Sequence, residues 1–342
     1  MLPATLNWQG GHDGYLELLD QELLPAEQKV LEISDLDTLI DAIKRLAVRG
    51  APAIGVAAGY GMVIGVRELK PADPEALRTA ALEVGARLDA SRPTAVNLGW
   101  AVKRALKRVE NEPTLEALLD EAKAIHAEDE QLCRAMGETG AALIKDGMTV
   151  LTHCNAGRLA TAGDGTALAV MFAAKNHGRD FRVYADETRP LLQGARLTAL
   201  ELSEAGIPVD VLADSAAAGL IARGEVDLIV TGADRIAANG DVANKVGTYS
   251  LSLAAKAHGV PMYVAAPVST FDLECPDGSQ IPIEDRDPKE VLELGDYRIA
   301  APGVGARNPA FDITPAAHLS GLITDRGLIS TITTEEIKKV IG

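Results

Sequence analysis

Cysteine is scarce and scattered in this chain of 342 residues: Cys133, Cys154 and Cys275 are odd in number, lie far apart and form no C-x-x-C pair. That pattern excludes a disulfide framework, gives no support to a zinc site, and fits a reducing, cytoplasmic setting. Long hydrophobic runs are missing too. The longest uncharged stretch, Gly50 to Val66, falls short of the roughly 20 residues that a membrane crossing needs, and its richness in glycine and alanine predicts a buried helix. The first thirty residues hold no basic segment followed by an apolar one, so no secretory leader is expected. Internal repeats, low-complexity tracts and charge blocks are likewise absent, which predicts order throughout. Basic residues are in deficit, 33 against 49 acidic, for a formal net charge of -16. Such a field repels nucleic acid, anionic membranes and phosphate alike. An anionic substrate therefore requires a local basic pocket.

What is present is an ordinary globular composition, 47% hydrophobic and 24% charged, on a chain long enough for two cores. Tyr15 to Asp20 and Lys29 to Ile33 alternate apolar and polar residues around Pro25, predicting a short antiparallel pair. From Ser34 the period lengthens: Leu36, Leu39, Ile40, Ile43 and Ala47 share one helical face, with Ser34 as the expected N-cap. Helical spacing continues over Pro71 to Leu88, Thr94 to Val109 and Thr114 to Ile144, divided by breaks at Pro93 and Pro113. Short apolar runs then take over: Met148 to His153, Phe181 to Ala185, Val209 to Ala213, Leu228 to Thr231 and Met262 to Ala266, with helical stretches between them. Runs of that length alternating with helices predict a parallel sheet covered on both faces. The fold class expected is α/β, with a mainly helical N-terminal domain carrying a small antiparallel sheet (1–125) and a C-terminal Rossmann-like parallel-sheet domain (126–342).

Ligands of such sheets sit beyond the carboxyl ends of the strands, and the residues there are chemical. The first run is followed by Cys154-Asn155, the second by Asp186-Glu187-Thr188-Arg189, the third by Asp214-Ser215 and the fourth by Asp234-Arg235. Cys154 stands where the chain must turn, and a helix beginning there would favour a thiolate; a buried structural thiol is the plain alternative. Asp234 follows an apolar run whose surroundings would keep it protonated as a general acid; an N-cap or an ion pair with Arg235 would explain it equally well. Arg49-Gly50-Ala51-Pro52 marks a helix boundary, where backbone N–H groups and a guanidinium suit a phosphate. Arg92, Gln193, and Asn244 with Lys245 each precede a helical run in the same manner. Singly these are weak signals. Together they bring three cations and two amides to a dianionic phosphate.

Several alternatives lose their usual support. His153 and His126 have no partner at H-x-x-x-H spacing, and His153 is read as a core residue or a support for its neighbours. No G-x-G-x-x-G follows a strand, and neither a G-x-x-x-x-G-K-[ST] loop nor a G-x-S-x-G elbow occurs. Neither metal nor cofactor is expected, and a nicotinamide-dependent oxidoreductase on the same topology lacks its fingerprint.

Six segments carry a resemblance: Arg49-Gly-Ala-Pro-Ala-Ile-Gly55, Arg92-Pro-Thr-Ala-Val-Asn-Leu98, Thr152-His-Cys-Asn-Ala-Gly157, Ala185-Asp-Glu-Thr-Arg-Pro190, Thr231-Gly-Ala-Asp-Arg235 and Asn244-Lys-Val-Gly247. Over nearly its whole length the chain resembles the methylthioribose-1-phosphate isomerases. That family is related to the isomerases of 5-deoxyribose 1-phosphate and ribose 1,5-bisphosphate and to regulatory subunits of the translation-initiation guanine-nucleotide exchange factor. The resemblance implies an aldose–ketose isomerase of methionine salvage, active as a homodimer on a small sugar phosphate. It makes Cys154 and Asp234 the catalytic pair, with Arg49, Gly50, Ala51, Arg92, Gln193, Asn244 and Lys245 holding the substrate, chiefly its phosphate. Arg158 and Asp164 depart from the family pattern after the cysteine, which favours a polar group on the sugar's C5 unless both side chains face solvent. A non-catalytic subunit could dispense with the Cys154 and Asp234 pairing.

Overall fold

The computed structural model describes residues 2–92 and 96–342. The chain divides into two compact units, Met1–Arg134 with Ala156–Gly165, and Ala135–Asn155 with Thr166–Gly342.

The first unit opens with three strands, β1 (Leu6–Gln9), β2 (Tyr15–Leu19) and β3 (Val30–Ile33), in the order β1-β2-β3 and antiparallel throughout. Four helices follow: α1 (Leu36–Lys44), α2 (Ala51–Glu68), α3 (Pro74–Ser91) and α4 (Val96–Asn111), and then α5 (Leu115–Ala141). The expected hairpin is thus a three-stranded sheet, β1 being too short for its alternation to stand out. The N-cap of α1 is Asp35 and not Ser34, because the Asp35 carboxylate accepts the Thr38 N–H at 2.8 Å. The expected helix start at Thr94, like Pro93 and Ala95, lies outside the described residues.

Helix α2 is the axis of this unit, buried without interruption from Ala53 to Val66. A helix apolar on every face belongs inside a core, and its glycines let neighbours come close. A Cβ at Gly61 would lie 2.7 Å from Leu39, and one at Gly65 would lie 2.7 Å from Val84. No helix among the described residues is long and apolar enough to cross a membrane.

The boundary expected at 125/126 falls inside α5, and the division found lies further along that helix, at Arg134/Ala135. Segment 156–165 also returns to the first unit, for identifiable reasons. The Ala162 N–H is accepted by buried Asp129 at 2.6 Å, Thr5 and Gln21 donate to the Arg158 and Leu159 carbonyls at 2.7 Å each, and Gly163 packs on Cys133.

The second unit continues with β4 (Thr149–Thr152), α6 (Ala167–Asn176), β5 (Arg182–Asp186), α7 (Ala199–Glu204), β6 (Val209–Leu212), α8 (Ala217–Ala222) and β7 (Leu228–Thr231). After these come β8 (Arg235–Ala237), β9 (Val242–Lys245), α9 (Thr248–His258), β10 (Met262–Ala265) and β11 (Phe271–Asp272). The last elements are α10 (Lys289–Leu292), β12 (Glu293–Leu294), β13 (Tyr297–Arg298), β14 (Phe311–Thr314), β15 (Gly321–Thr324), β16 (Gly327–Ile329) and α11 (Thr334–Ile341). Seven strands form one sheet in the order β16-β15-β10-β7-β4-β5-β6, parallel except for β16 at its edge. All five runs read as strands lie in it, and β7 is buried at every position, as a strand covered on both faces must be. Leu151, Ile229 and Met262 pack on one side against Ile221 of α8 and Leu251 and Ala255 of α9. A four-stranded sheet, β11-β8-β9-β14, was not visible in the pattern because its strands are two to four residues long.

Candidate active site

From β4 the chain winds outward through β5 to β6, then returns to the other side of β4 to lay down β7 and β10. The direction of winding therefore reverses between β4 and β7, and a crevice at the carboxyl ends of those two strands is where such a sheet takes its ligand. Cys154 follows β4 and Asp234 follows β7, so both stand at that switch point.

Cys154 is half-buried and adopts φ +64°, the left-handed region that a side chain normally avoids. Buried polar groups hold it there. Its N–H donates to Thr188 Oγ1 at 2.9 Å, and that hydroxyl donates onward to the Asp186 carbonyl at 3.0 Å. Its carbonyl accepts Thr198 Oγ1 at 2.6 Å, and Asn155 Nδ2 donates to both Thr198 and Glu201. Thr188 is itself left-handed at φ +64°, fixed because Asp214 accepts the Thr188 and Arg189 N–H groups at 2.7 Å each. The helix expected directly after Cys154 is only a three-residue turn, Arg158–Ala160, and α6 begins at Ala167. A turn that short offers little dipole to a thiolate.

Gln193 caps a π-helical stretch, Gly194–Thr198, before α7. Such bulges often mark functional positions. A Cβ at Gly194 would lie 1.7 Å from the Asp186 carbonyl oxygen, so only glycine lets the turn approach the strand tip. Gln193 is 7% exposed, and its Oε1 has no hydrogen-bond partner among the described residues. An orphaned acceptor at that depth costs roughly 1–3 kcal/mol and is explained where a ligand supplies the donor.

Asp234, Asn244 and Lys245 come together through β8 and β9. The antiparallel register sets Arg235 opposite Ala243, and the Asp234 N–H donates to the Ala243 carbonyl at 2.9 Å, which brings Asp234 alongside Asn244. Arg235 turns to Asp272 at 3.4 Å. Asn244 is buried and donates to Thr248 Oγ1, while Lys245 Nζ sits 4.5 Å from the centre of the Phe311 ring.

His153 and Asp186 were not assigned to the site by their spacing in sequence. The parallel register pairs Thr152 with Ala185, so the next residues, His153 and Asp186, are neighbours at the tips of β4 and β5. His153 Nδ1 lies 2.9 Å from Asp186 Oδ2, and Nε2 lies 2.9 Å from the Val246 carbonyl, which can only accept, so Nε2 carries hydrogen. Burial works against a charged imidazole here, yet the hydrogen bond and charge of Asp186, the Val246 carbonyl and the Asp214 charge outweigh it and raise the His153 pKa. The Asp186 pKa is raised as well, chiefly by burial, with His153 opposing and Asp214 and Glu187 adding. The raised His153 pKa means that Nδ1 keeps its proton, shared with Asp186 Oδ2, to higher pH than a free imidazole would. Ligand-type atoms of His153, Asp186 and Asp214 lie within 4.8 Å of one another. With both imidazole nitrogens engaged and both Asp214 oxygens accepting backbone N–H groups, we read this cluster as a hydrogen-bond network. His153, Asp186 and Asp214, with Ser215, Gly247 and Ser250, line a cavity of about 250 Å³ that none of the nine candidate residues lines.

Arg49, Gly50, Ala51 and Arg92 belong to the first unit. Gly50 is the N-cap of α2 at φ +88°, no side chain among the described residues caps that end, and a Cβ on Gly50 would meet the Ala160 carbonyl oxygen at 2.5 Å. Arg49 precedes it and is half-buried; Arg92 ends α3. Arg158 and Asp164, also in this unit, pair with each other at 2.9 Å, each about half exposed.

Residues 47–331 match the model of the Initiation factor 2 subunit family. Among curated relatives, the methylthioribose-1-phosphate isomerase of Syntrophotalea carbinolica is 52% identical over 93% of this chain and 94% of its own. The 5-deoxyribose 1-phosphate isomerase of Moorella thermoacetica is 49% identical over 99% of this chain and 97% of its own. Among solved structures, the 5-methylthioribose 1-phosphate isomerase of Pyrococcus horikoshii OT3 is 43% identical, with a TM-score of 0.92 over 99% of this chain and 96% of that one. A protein of A. fulgidus described as translation initiation factor eIF-2B, subunit delta, is also 43% identical, with a TM-score of 0.89 over 100% of this chain and 99% of that one.

Proposed function

The chain belongs to the Initiation factor 2 subunit family, and from that premise we propose that it is an isomerase converting 5-methylthioribose 1-phosphate to 5-methylthioribulose 1-phosphate in methionine salvage. The observation that carries the reading is the placing of a left-handed cysteine and an aspartate on the two strands that flank the switch point. A regulatory subunit has no use for that pairing.

The chemistry follows from the substrate. An aldose 1-phosphate cannot open its ring as a free hemiacetal does, because its anomeric oxygen is esterified. Asp234 supplies a proton to the ring oxygen as the bond from C1 to that oxygen breaks. Cys154 assists the transfer that carries hydrogen from C2 to C1. In the balance, the ring oxygen gains a proton, the 2-hydroxyl loses one and the hydrogen on C2 ends on C1, so no external oxidant or reductant is consumed. Gln193, Asn244, Lys245, Arg49, Gly50, Ala51 and Arg92 are the substrate-binding groups of this reading, supported by the orphaned Gln193 acceptor and the uncapped start of α2.

Arg158 and Asp164 pair with each other and are about half exposed, which suits the solvent-facing alternative and an apolar methylthio or methyl terminus on C5. 5-Deoxyribose 1-phosphate is therefore the second reading, supported by the M. thermoacetica relative. The three free cysteines suit the cytoplasm, and the exposed Tyr297, Ile299 and Val304 offer apolar surface for a homodimer, whose mass in solution is the check.

Purified protein incubated with the 1-phosphates of methylthioribose and 5-deoxyribose and with ribose 1,5-bisphosphate is expected to yield a ketose phosphate by NMR, fastest from the first. Asp234→Asn and Cys154→Ala should each lower turnover by about 10²–10⁴. Full turnover in either variant would refute its role, and no ketose from any of the three would leave the regulatory-subunit reading standing.

A further inference from the structure

His153 precedes Cys154 in the chain and Val246 follows Lys245, so the bond from Nε2 to the Val246 carbonyl ties together two stretches that otherwise belong to different sheets. The ring is 1% exposed and is held on three sides. Asp186 fixes Nδ1 from the neighbouring strand, the Val246 carbonyl fixes Nε2, and Gly247 lies flat against the ring edge, where a Cβ would come within 2.7 Å of Cε1. Gly247 takes φ +111° to do this, and Asp312 secures it by accepting the Gly247 N–H at 2.7 Å and the Tyr249 N–H at 3.0 Å. Asp312 and Phe311 of β14 in turn lie opposite Asn244 and Lys245 of β9. A chain of contacts thus runs from the tip of β4 through one imidazole to the turn that presents Asn244 and Lys245.

We propose that His153 is a positioning residue, with Asp186 as its anchor, that sets the separation between the Cys154 thiol and the Asn244–Lys245 turn. This rests on the isomerase reading for its catalytic consequence but not for its geometry. A core histidine serving only to fill space would need neither a partner on each nitrogen nor a glycine at φ +111° to admit its ring. A neutral side chain too short to reach both partners leaves the Val246 carbonyl unsatisfied and lets the turn drift relative to the cysteine.

The test compares wild type with His153→Asn, using Asp186→Asn as the second variant should the first fail to fold. Two readouts are taken: steady-state kinetics on the aldose 1-phosphate, and alkylation of Cys154 by iodoacetamide, followed by peptide mapping, with inorganic phosphate as the protecting ligand. Cys133, its thiol pushed up to about 12 chiefly by burial, and buried Cys275 are internal controls that stay unlabelled. Misplacement by about an ångström is expected to lower kcat about 10²-fold. The phosphate concentration giving half-protection should rise about tenfold, equivalent to one misaligned charge-assisted hydrogen bond. A space-filling role predicts instead that turnover falls only with the folded fraction and half-protection stays unchanged, and that result overturns the proposal. Should the wild type show no isomerase activity, the protection assay still reads the geometry: a rise in the variants supports the positioning role while the isomerase reading fails alone.

Discussion

Asp129 offers a quantitative test of how segment 156–165 is held in the first unit. Its side chain is 8% exposed and accepts the Ala162 N–H at 2.6 Å. Burial pushes its pKa up from 3.8 to about 6; Glu130 adds to the rise, and the Ala162 and Gly163 N–H groups oppose it. A folded-state pKa above the unfolded one means that the native chain binds the extra proton, so the stabilising contribution is complete below about pH 4 and is lost as pH rises through 6. The full difference of about two units corresponds to roughly 3 kcal/mol, of which about 2 kcal/mol falls between pH 4.5 and 7. Asp129→Asn keeps the acceptor and cannot ionise. Urea unfolding of both proteins across that range, at constant m-value, should therefore show the wild type losing about 2 kcal/mol relative to the variant, with the difference levelling off above pH 7. A flat difference, or one that grows in favour of the wild type, would mean that Asp129 is ionised at little cost and that its burial does not control the clamp.

Two further substitutions probe backbone geometry. Gly50→Ala forces a Cβ into a left-handed residue 2.5 Å from the Ala160 carbonyl oxygen, so thermal unfolding should report a loss of at least about 2 kcal/mol; a stable alanine variant would show that the turn before α2 can shift. Cys154→Gly should be more stable than Cys154→Ala by about 1 kcal/mol in urea, because glycine alone adopts φ +64° without a Cβ penalty, and equal midpoints would remove the strain from consideration.

Much of the second unit was legible because a parallel strand needs no tertiary information to look like one. Leu228 to Thr231 is apolar at every position, and the structure gives it those bounds. Helix α2 was legible for the same reason: a glycine- and alanine-rich run without charge belongs inside a helical core. What could not be read was register. That His153 meets Asp186 depends on Thr152 pairing with Ala185, two segments more than thirty residues apart whose alignment no local pattern encodes. Asp234 meets Asn244 through a strand of three residues, below the length at which alternation is visible. The return of 156–165 to the first unit depends on Asp129, which in sequence is one acid among several on α5. Polar residues at each strand end pointed to the tips of β4 and β7, whereas Thr188, Thr198 and Glu201, which fix Cys154 and Asn155, carry no motif beyond that position.

Strain separates the two readings of Cys154. Both Cys154 and Thr188 sit at φ +64°, where a residue other than glycine costs of order 1–2 kcal/mol. At Thr188 the side chain accounts for the cost, since its hydroxyl receives the Cys154 N–H, donates to the Asp186 carbonyl and is buried. At Cys154 the bonds that hold the residue come from its backbone N–H and carbonyl, which a glycine would supply equally well. Cys154 is only partly buried, just past the end of a central strand, unlike Cys133 and Cys275, which are buried as structural thiols are. A strained position whose side chain adds no bond among the described residues, at the reversal point of a parallel sheet, fits the catalytic role proposed for Cys154 better than a structural one.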